Sequence, residues 1–386
     1  MIENAPSRHY LDWAATAIPD NISDKCDKGQ IFGNPSSLHT EGRLAKQALE
    51  MARNRCAGVL GVEPEKLYFT SGGTESNALV LHSLLLRKWK GRLLYSDIEH
   101  SSISENCRVL KKLSLSVGGI GVEKDGRVSV DTLSRALEKY PDTRFAAIMG
   151  LNNETGALMD TKALFALSRS QEARTGLPLH FHCDMVQVLG KVPIDLSGID
   201  SASFSAHKLG GPRGIGLLFL KKNLESLYTG GGQEGGIRPG TENTAGAVAL
   251  ADLLEHRAHP ETVVEESAKA ALRFKYLIGE LKKINRCALI PEDRTVEDPR
   301  FSPWIVQVRF RGVPGPVMVR ALDKEGIAVS TGSACSSNSA ERPVLAAMGM
   351  DEKARLEGFR VSQGWTTEIA DFDAFLSGIK KVLSFL

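Results

Sequence analysis

Hydrophobic and polar positions follow two recurring patterns along the first two thirds of the chain. Short apolar runs typical of strands end in glycine or polar residues, and most are followed by a segment with helical period. This repeating order predicts an α/β fold with a mostly parallel sheet covered by helices on both faces. Strands are predicted at 67–70, 93–96, 145–149, 179–183 and 217–220, and helices at about 40–60, 130–140, 161–174 and 244–254.

The first of these helices is interpreted as a packing helix, with Gly61 able to end it. The residues on or beside one of its faces are Leu44, Ala48, Met51, Arg55 and Val59.

The order of predicted helices and strands changes near residue 256. A long helix from Pro260 to about Ile284 precedes a strand of alternating faces at 304–310 and a short helix near Pro316. These elements predict a smaller α+β domain. The expected division is a large domain at 15–255, with residues 1–14 and 256–386 forming the small one.

Composition and charge narrow the class of function. The chain has 386 residues, of which 42% are hydrophobic and 24% charged, with a formal net charge of +2. These are ordinary values for a globular protein, and the near-neutral balance indicates neither nucleic acid nor membrane as a partner. The six cysteines are scattered without a Cys-x-x-Cys pair, and the first ten residues lack an apolar segment, so a reduced, cytoplasmic location is expected.

The stretch from Ser203 to Gly216 contains an unusually placed lysine. Lys208 follows a strand-like alternation, and glycines then let the backbone turn before a second apolar run begins. One interpretation is a surface lysine on a hairpin. The other is a partly desolvated amine whose lowered pKa lets it condense with an aldehyde.

Polar residues follow several predicted strands, at the sheet edge where α/β proteins bind ligands. Ser71-Gly72-Gly73 opens a helix at Thr74, which suits a phosphate but is also a common connecting turn. His100 could stack on an aromatic ligand or be a structural histidine. Asn152 and Asn153 could orient a ligand or form a turn, and Asp184 directly follows a buried-type strand and needs a cationic partner.

Two further patterns involve potential metal ligands and thiols. His180 and His182 alternate with apolar residues, but no third ligand lies at a familiar spacing, so a metal site is not favoured. Cys335 differs from the other cysteines because its neighbours are small and polar, which indicates a mobile, exposed thiol. A free cysteine on a loop is, however, usually inert.

The order and spacing of these segments resemble the cysteine desulfurases, pyridoxal-phosphate enzymes of the class V aminotransferase group. The similarity runs from Tyr10 almost to the C-terminus. The matching motifs are Tyr10-Leu11-Asp12, the segment 32–39, the segment 70–77, Glu99-His100, Asn152-Asn153-Glu154, the segment 203–208, Gly240-Thr241-Glu242-Asn243 and Gly332-Ser333-Ala334-Cys335. The resemblance implies a fold-type I enzyme with a seven-stranded sheet in its large domain.

The resemblance also implies a role for each site residue. Lys208 would hold pyridoxal 5'-phosphate as a Schiff base and move the substrate's Cα proton, and Cys335 would take the substrate's sulfur as a persulfide. Asp184 would pair with the pyridine nitrogen, Gln187 would contact the phenolate oxygen, and His100 would stack on the ring. The residues implied for the phosphate are Gly73, Thr74, Ser205, His207 and, from a neighbouring subunit, Thr241, and those for the substrate carboxylate are Asn153 and Arg360.

The implied partners are L-cysteine, a second copy of the chain in a homodimer, and sulfur acceptors such as an iron–sulfur scaffold protein. No resident metal is implied, although Cys335 could transiently ligate iron–sulfur species. The segment 340–343 and the residue after Gly364 depart from the family pattern. The altered loop after Cys335 keeps one alternative open, a low-turnover sulfur-transfer scaffold. A second alternative, a lyase acting on selenocysteine, stays open because the sequence does not distinguish the two substrates.

Overall fold

The computed structural model describes residues 8–20, 32–86, 91–332 and 342–385. The strands are β1 (His9–Tyr10), β2 (Leu67–Thr70), β3 (Arg92–Ser96), β4 (Ser116–Ile120), β5 (Thr143–Ala147), β6 (His180–Asp184), β7 (Ser201–Ser205), β8 (Gly216–Leu220), β9 (Cys287–Ile290), β10 (Ile305–Phe310), β11 (Ile327–Ala328) and β12 (Gly358–Ser362). The α-helices are α1 (Thr40–Leu60), α2 (Gly73–His82), α3 (Ser101–Lys112), α4 (Val130–Lys139), α5 (Thr161–Thr175), α6 (Thr244–Arg257), α7 (Pro260–Leu281), α8 (Gly315–Lys324), α9 (Pro343–Ala347), α10 (Glu352–Glu357) and α11 (Ile369–Ser384).

Seven of the described strands form one sheet in the order β2-β8-β7-β6-β5-β3-β4. Strand β8 is antiparallel to both of its neighbours, and the remaining pairs are parallel. Six strands therefore run in the same direction, which confirms the predicted mostly parallel sheet.

Helices cover both faces of this sheet. Successive residues of a strand point to opposite faces, so Leu217 and Phe219 of β8 pack in a core with α1, α4, α5 and α6. Leu218 and Leu220 of the same strand pack in a second core with α2 and α3. Both faces are apolar because both are covered, as the continuous hydrophobic strands indicate.

The buried face of α1 differs from the one that the spacing suggested. Leu44 is 56% exposed and Met51 is 52% exposed, whereas the buried side chains are mostly small. Those buried positions include Ala45, Ala48, Leu49, Ala52 and Cys56. Helix α6, which packs against α1, also presents buried alanines, and small side chains allow two helices to approach closely.

The C-terminal part of the chain is of the predicted α+β type. Strands β12, β10 and β9 form an antiparallel sheet, and its apolar face packs with α7, α8 and α11. The N-terminal β1 pairs with β11, so the start of the chain belongs to this layer. No helix in the described ranges is both long enough and apolar enough to cross a bilayer.

The parallel direction of the large sheet decides where polar residues gather. Strands β2, β3, β5, β6 and β7 all end at the same edge. The residues that follow them begin the turn into α2, the start of α3 at His100, the loop to Asn153, Asp184 and the short 3₁₀ turn Ala206–Lys208. This edge is therefore the expected ligand side of the molecule.

Candidate active site

A cavity of about 490 Å³ opens at the carboxyl edge of the large sheet. Of the predicted site residues that the structure describes, all but Thr241 line it. These residues are Gly73, Thr74, His100, Asn153, Asp184, Gln187, Ser205, His207, Lys208 and Arg360.

Lys208 projects into this cavity instead of lying on an open hairpin. Its amine donates to the carbonyl oxygens of Ala14 and Ala15, at 2.7 and 2.6 Å. The N-terminal segment thus holds the amine among the cavity residues. Of the two interpretations of this lysine, the geometry supports the one with a chemical role.

The turn from β2 into α2 provides backbone donors. Gly72 adopts φ 143°, a backbone conformation that side chains disfavour, and α2 begins at the next residue. A Cβ on Gly73 would lie 2.5 Å from Cγ2 of Val186, so only glycine lets the helix start this close to the end of β6. The first N–H groups of a helix have no partner within it, and Thr74 and Ser205 add hydroxyls, which suits an anion.

Asp184 ends β6 and is buried. Its Oδ2 accepts from the amide of Asn77 at 2.8 Å, and its Oδ1 accepts from the N–H of Val186 at 3.0 Å. A carboxylate held this way is ready for a cationic ligand group on the cavity side.

His100 caps α3 through its ring. Nδ1 lies 3.1 Å from the N–H of Ser102 and accepts from it. Burial lowers the pKa of His100, with the Lys208 amine acting in the same direction and Asp184 opposing it. His207 behaves similarly: burial, followed by Lys208 and Arg213, lowers its pKa to about 4. Both rings are therefore neutral at pH 7.

Arg360 of β12 reaches the cavity from the C-terminal layer, and the arginine is only 1% exposed. Its Nη1 donates to the carbonyl of Asn153 at 2.8 Å, and its Nη2 donates to Asp12 at 2.7 Å. Its Nε is buried without a hydrogen-bond partner among the described residues. The Asn153 carbonyl and the Asp12 carboxylate thus hold the guanidinium in place, and its remaining N–H groups can still donate to a ligand.

Gln187 shares an acceptor with Lys208, the carbonyl oxygen of Ala14. Its Nε2 donates to Ala14 O at 2.8 Å, and its Oε1 accepts from Nζ of Lys191 at 2.9 Å. Lys191 itself is only 2% exposed. Burial, reinforced by Lys208 and Arg360, lowers its pKa to about 7.

One described residue that was predicted for the site, Thr241, is not in the cavity lining. Thr241 is exposed on the glycine-rich loop. Cys335 lies outside the described residues. Contacts on both sides hold the chain before it: Ser330 exchanges backbone hydrogen bonds with Arg360, and a Cβ on Gly332 would lie 2.8 Å from the carboxylate of Glu154.

Sequence reasoning missed several residues around the site. Asp12 carried no local signal for its pairing, since its partner Arg360 lies 348 residues away. Lys191 lies four residues after its partner Gln187, but nothing in the local sequence indicated that this lysine is buried. Asn77 and His182 are both fully buried, and His182 contacts the Asn77 amide at 2.9 Å. The alternation of His180 and His182 was the available signal for this contact, but it suggested only metal ligands. No group of three or more potential metal-binding side chains occurs in the part of the chain that the structure describes.

The model of the family described as Aminotransferase class-V matches residues 9–375. The chain therefore belongs to the class V aminotransferase family.

Within that family the chain is similar to a protein named as a NifS/IcsS homolog and to a protein named as a cysteine desulfurase. It is 35% identical to the "NifS/IcsS protein homolog" of Lactobacillus delbrueckii subsp. bulgaricus, over 92% of this chain and 90% of that protein. It is 34% identical to "Cysteine desulfurase IscS" of Dictyoglomus turgidum, over 97% and 94% of the two chains.

Two solved structures have folds similar to that of this chain. A "NIFS-LIKE PROTEIN" superposes with a TM-score of 0.89 at 30% identity, covering 98% of this chain and all of its own. The structure titled "SspA in complex with cysteine" gives a TM-score of 0.76 at 28% identity, covering 92% and 98%.

Proposed function

We propose that the protein is a pyridoxal-phosphate-dependent cysteine desulfurase that converts L-cysteine to L-alanine and leaves the sulfur on Cys335. The observation that carries the proposal is the meeting of Lys208, Asp184 and His100 around one cavity. In the overall reaction the substrate's C–S bond breaks and an S–S bond forms at the Cys335 thiol. The thiol proton balances the new C–H bond of alanine, so no external oxidant is needed.

The donor set of the cavity fits the proposed cofactor. The N–H groups at the start of α2 and the side chains of Thr74, Ser205 and His207 would bind its phosphate. The carboxylate of Asp184 would pair with the protonated ring nitrogen, and His100 would lie against the ring. When bound, the cofactor withdraws electrons from the bonds at the substrate's α-carbon.

The chain's own groups would orient the substrate and move its proton. The Nζ of Lys208 would hold the cofactor and, once substrate has replaced it there, take the Cα proton. Arg360 would bind the substrate carboxylate with its planar guanidinium, and Asn153 would contact the same group. The Nε2 of Gln187 would donate to the phenolate oxygen.

The position of the described residues beside the Cys335 segment supports the transfer step. Before the segment, Gly332 packs against Glu154, next to the cavity residue Asn153. After it, Arg342 is buried and donates to the carbonyl of Gly358 at 3.0 Å. The persulfide on Cys335 would then pass to an acceptor, such as an iron–sulfur scaffold protein.

A homodimer in the cytoplasm is the proposed working state. Leu38, Leu44 and Met51 are large apolar side chains that are 90%, 56% and 52% exposed, which suits a contact with a second copy. Thr241, exposed in one copy, would complete the phosphate site of the other. The proposed domain division, 15–255 against 1–14 with 256–386, is supported by the separate C-terminal core.

The decisive experiment treats the purified protein with L-cysteine and follows alanine, sulfide and the protein's mass. One added sulfur is expected on the peptide that carries Cys335, and alanine is expected to accumulate when a thiol reductant is present. Lys208→Ala should form no alanine, and Cys335→Ala should release no sulfide. Sulfide release by Cys335→Ala at the parent rate would contradict the persulfide step, whereas brisk turnover without an acceptor would exclude the scaffold alternative.

A further inference from the structure

Asn77, in the first turns of α2, lies behind the cavity and is fully buried. Its Nδ2 donates two hydrogen bonds, each 2.8 Å long. One reaches Oδ2 of Asp184 and the other reaches the hydroxyl of Ser102. One neutral side chain thus contacts both the ring-nitrogen carboxylate and the helix start that carries His100.

The opposite end of the Asn77 amide determines its orientation. Its Oδ1 accepts from the hydroxyl of Ser203 and contacts Nε2 of His182 at 2.9 Å. A rotated amide would direct oxygen at the Asp184 carboxylate and nitrogen at the Ser203 donor, which are both unfavourable. His182 must therefore carry its proton on Nε2.

The chain of hydrogen bonds continues across the sheet. His182 Nδ1 lies 2.7 Å from the hydroxyl of Ser201 and, being unprotonated, accepts from it. Ser201 has a single proton, so it accepts in turn from Nε2 of His180 at 2.7 Å. Every donor in this series points toward Asp184. Burial, followed by the neighbouring His180, lowers the pKa of His182 to about 3, so the His182 ring is neutral at pH 7.

A second branch leads to His100. The Ser102 hydroxyl accepts from Asn77 and lies 2.9 Å from Nδ1 of His100, which it can serve as a donor. The backbone N–H of Ser102 donates to the same ring atom. The proton of the neutral His100 ring is therefore on Nε2.

We propose that Asn77 is a positioning residue of this site, which fixes the Asp184 carboxylate and the Ser102 hydroxyl beside His100 through one buried amide. The proposal rests on the proposed function, because its consequence is tight binding of the cofactor's ring. Because the Asn77 amide and the Val186 N–H each occupy one oxygen of Asp184, the carboxylate keeps one orientation, in which it would meet the ring nitrogen.

The test has two arms, both on the full-length chain. In the first, protein carrying ¹⁵N-histidine is studied by two-bond ¹H–¹⁵N NMR, which reports the protonated nitrogen of each ring. In the second, cofactor-depleted protein is titrated with pyridoxal phosphate, followed by absorbance. Asn77→Leu is compared with Asn106→Leu. Asn106 also contacts a histidine ring, Nε2 of His82 at 2.7 Å, and it donates to a backbone carbonyl in α3.

We expect the parent to show His182 and His100 as neutral Nε2–H rings at pH 7. Loss of one charge-assisted hydrogen bond to Asp184 should weaken cofactor binding by Asn77→Leu roughly tenfold or more, with the control near the parent. An Nδ1–H ring for His182 would overturn the inference, and so would an Asn77→Leu affinity equal to that of the control.

The proposed function can fail separately. A parent that binds no pyridoxal phosphate would contradict the cofactor assignment, while the ring tautomers would still decide whether the hydrogen-bond series exists. If Asn77→Leu does not fold, the NMR arm on the parent remains decisive.

Discussion

Replacing the buried Lys191 by methionine should change the stability of the protein in a pH-dependent way. The lysine is 2% exposed, and its one described side-chain bond is to Oε1 of Gln187 at 2.9 Å. Burial is the main cause that lowers its pKa from 10.5 to about 7, and the cations Lys208 and Arg360 add to it. Between these two values the unfolded chain binds more protons than the folded one, so stability rises with pH across that window.

The size of this stability change follows from the difference between the ordinary pKa of lysine and the lowered pKa of Lys191. Protonated Lys191 should cost the folded state on the order of 4 kcal/mol at about pH 6.5, and under about 1 kcal/mol at about pH 10. Lys191→Met removes this cost but leaves the Gln187 oxygen without its donor, which costs about 1–2 kcal/mol. The variant should therefore be more stable than the parent at low pH and equal or less stable at high pH.

Urea unfolding at one fixed protein concentration measures this crossover. Parent and Lys191→Met are compared at about pH 6.5, 8 and 10, and the free energy of unfolding is obtained at each pH. Lys275→Met is the control, since the Lys275 side chain is 66% exposed, and its difference from the parent should stay constant. A pH-independent difference for Lys191→Met would refute the assignment of a buried, weakly basic amine.

Three further substitutions test other parts of the structure. Arg360→Lys loses the planar guanidinium, and we expect kcat/KM for L-cysteine to fall roughly tenfold or more, mainly through KM; an unchanged KM would count against the carboxylate role. Gly364→Ala places a Cβ 1.9 Å from Cδ2 of the buried Trp13, which should cost about 2 kcal/mol and lower Tm by several degrees, whereas an unaltered Tm would show that the ring can move aside. Glu234→Gln leaves Arg53 without the charge 2.6 Å away in a buried pair, and urea unfolding should report a loss of about 3 kcal/mol; a loss within the error of the measurement would mean that the pair contributes nothing net.

Much of the site could be predicted from sequence because parallel strands all end at the same edge of the sheet. A polar residue at the end of a buried parallel strand, or a few residues after it, lies at the ligand edge, wherever the strand sits in the sheet. Thr74, His100, Asp184 and Lys208 all follow this rule, and the structure brings them to one cavity. The element boundaries also agreed closely where caps are strong: α1 runs from Thr40 to Leu60, with Gly61 in the left-handed conformation after it.

Other features depend on contacts between distant segments. The spacing in α1 named a face containing Leu44 and Met51, but packing of small side chains against α6 buries a different face. Arg360 is paired with Asp12, 348 residues away, which no local pattern reveals.

The sequence alone thus determined the kinds of elements and the chemistry at their ends, because periodicity, caps and turn residues act locally. Only the tertiary structure decided which polar groups bind each other. The histidine pair on β6 illustrates this, since its alternation suggested metal ligands but offered no third ligand at a familiar spacing. Strand register places His182 beside Ser201, and helix α2 brings Asn77 to the other side of the ring. These neighbours set the position of its proton and make it part of the support for Asp184.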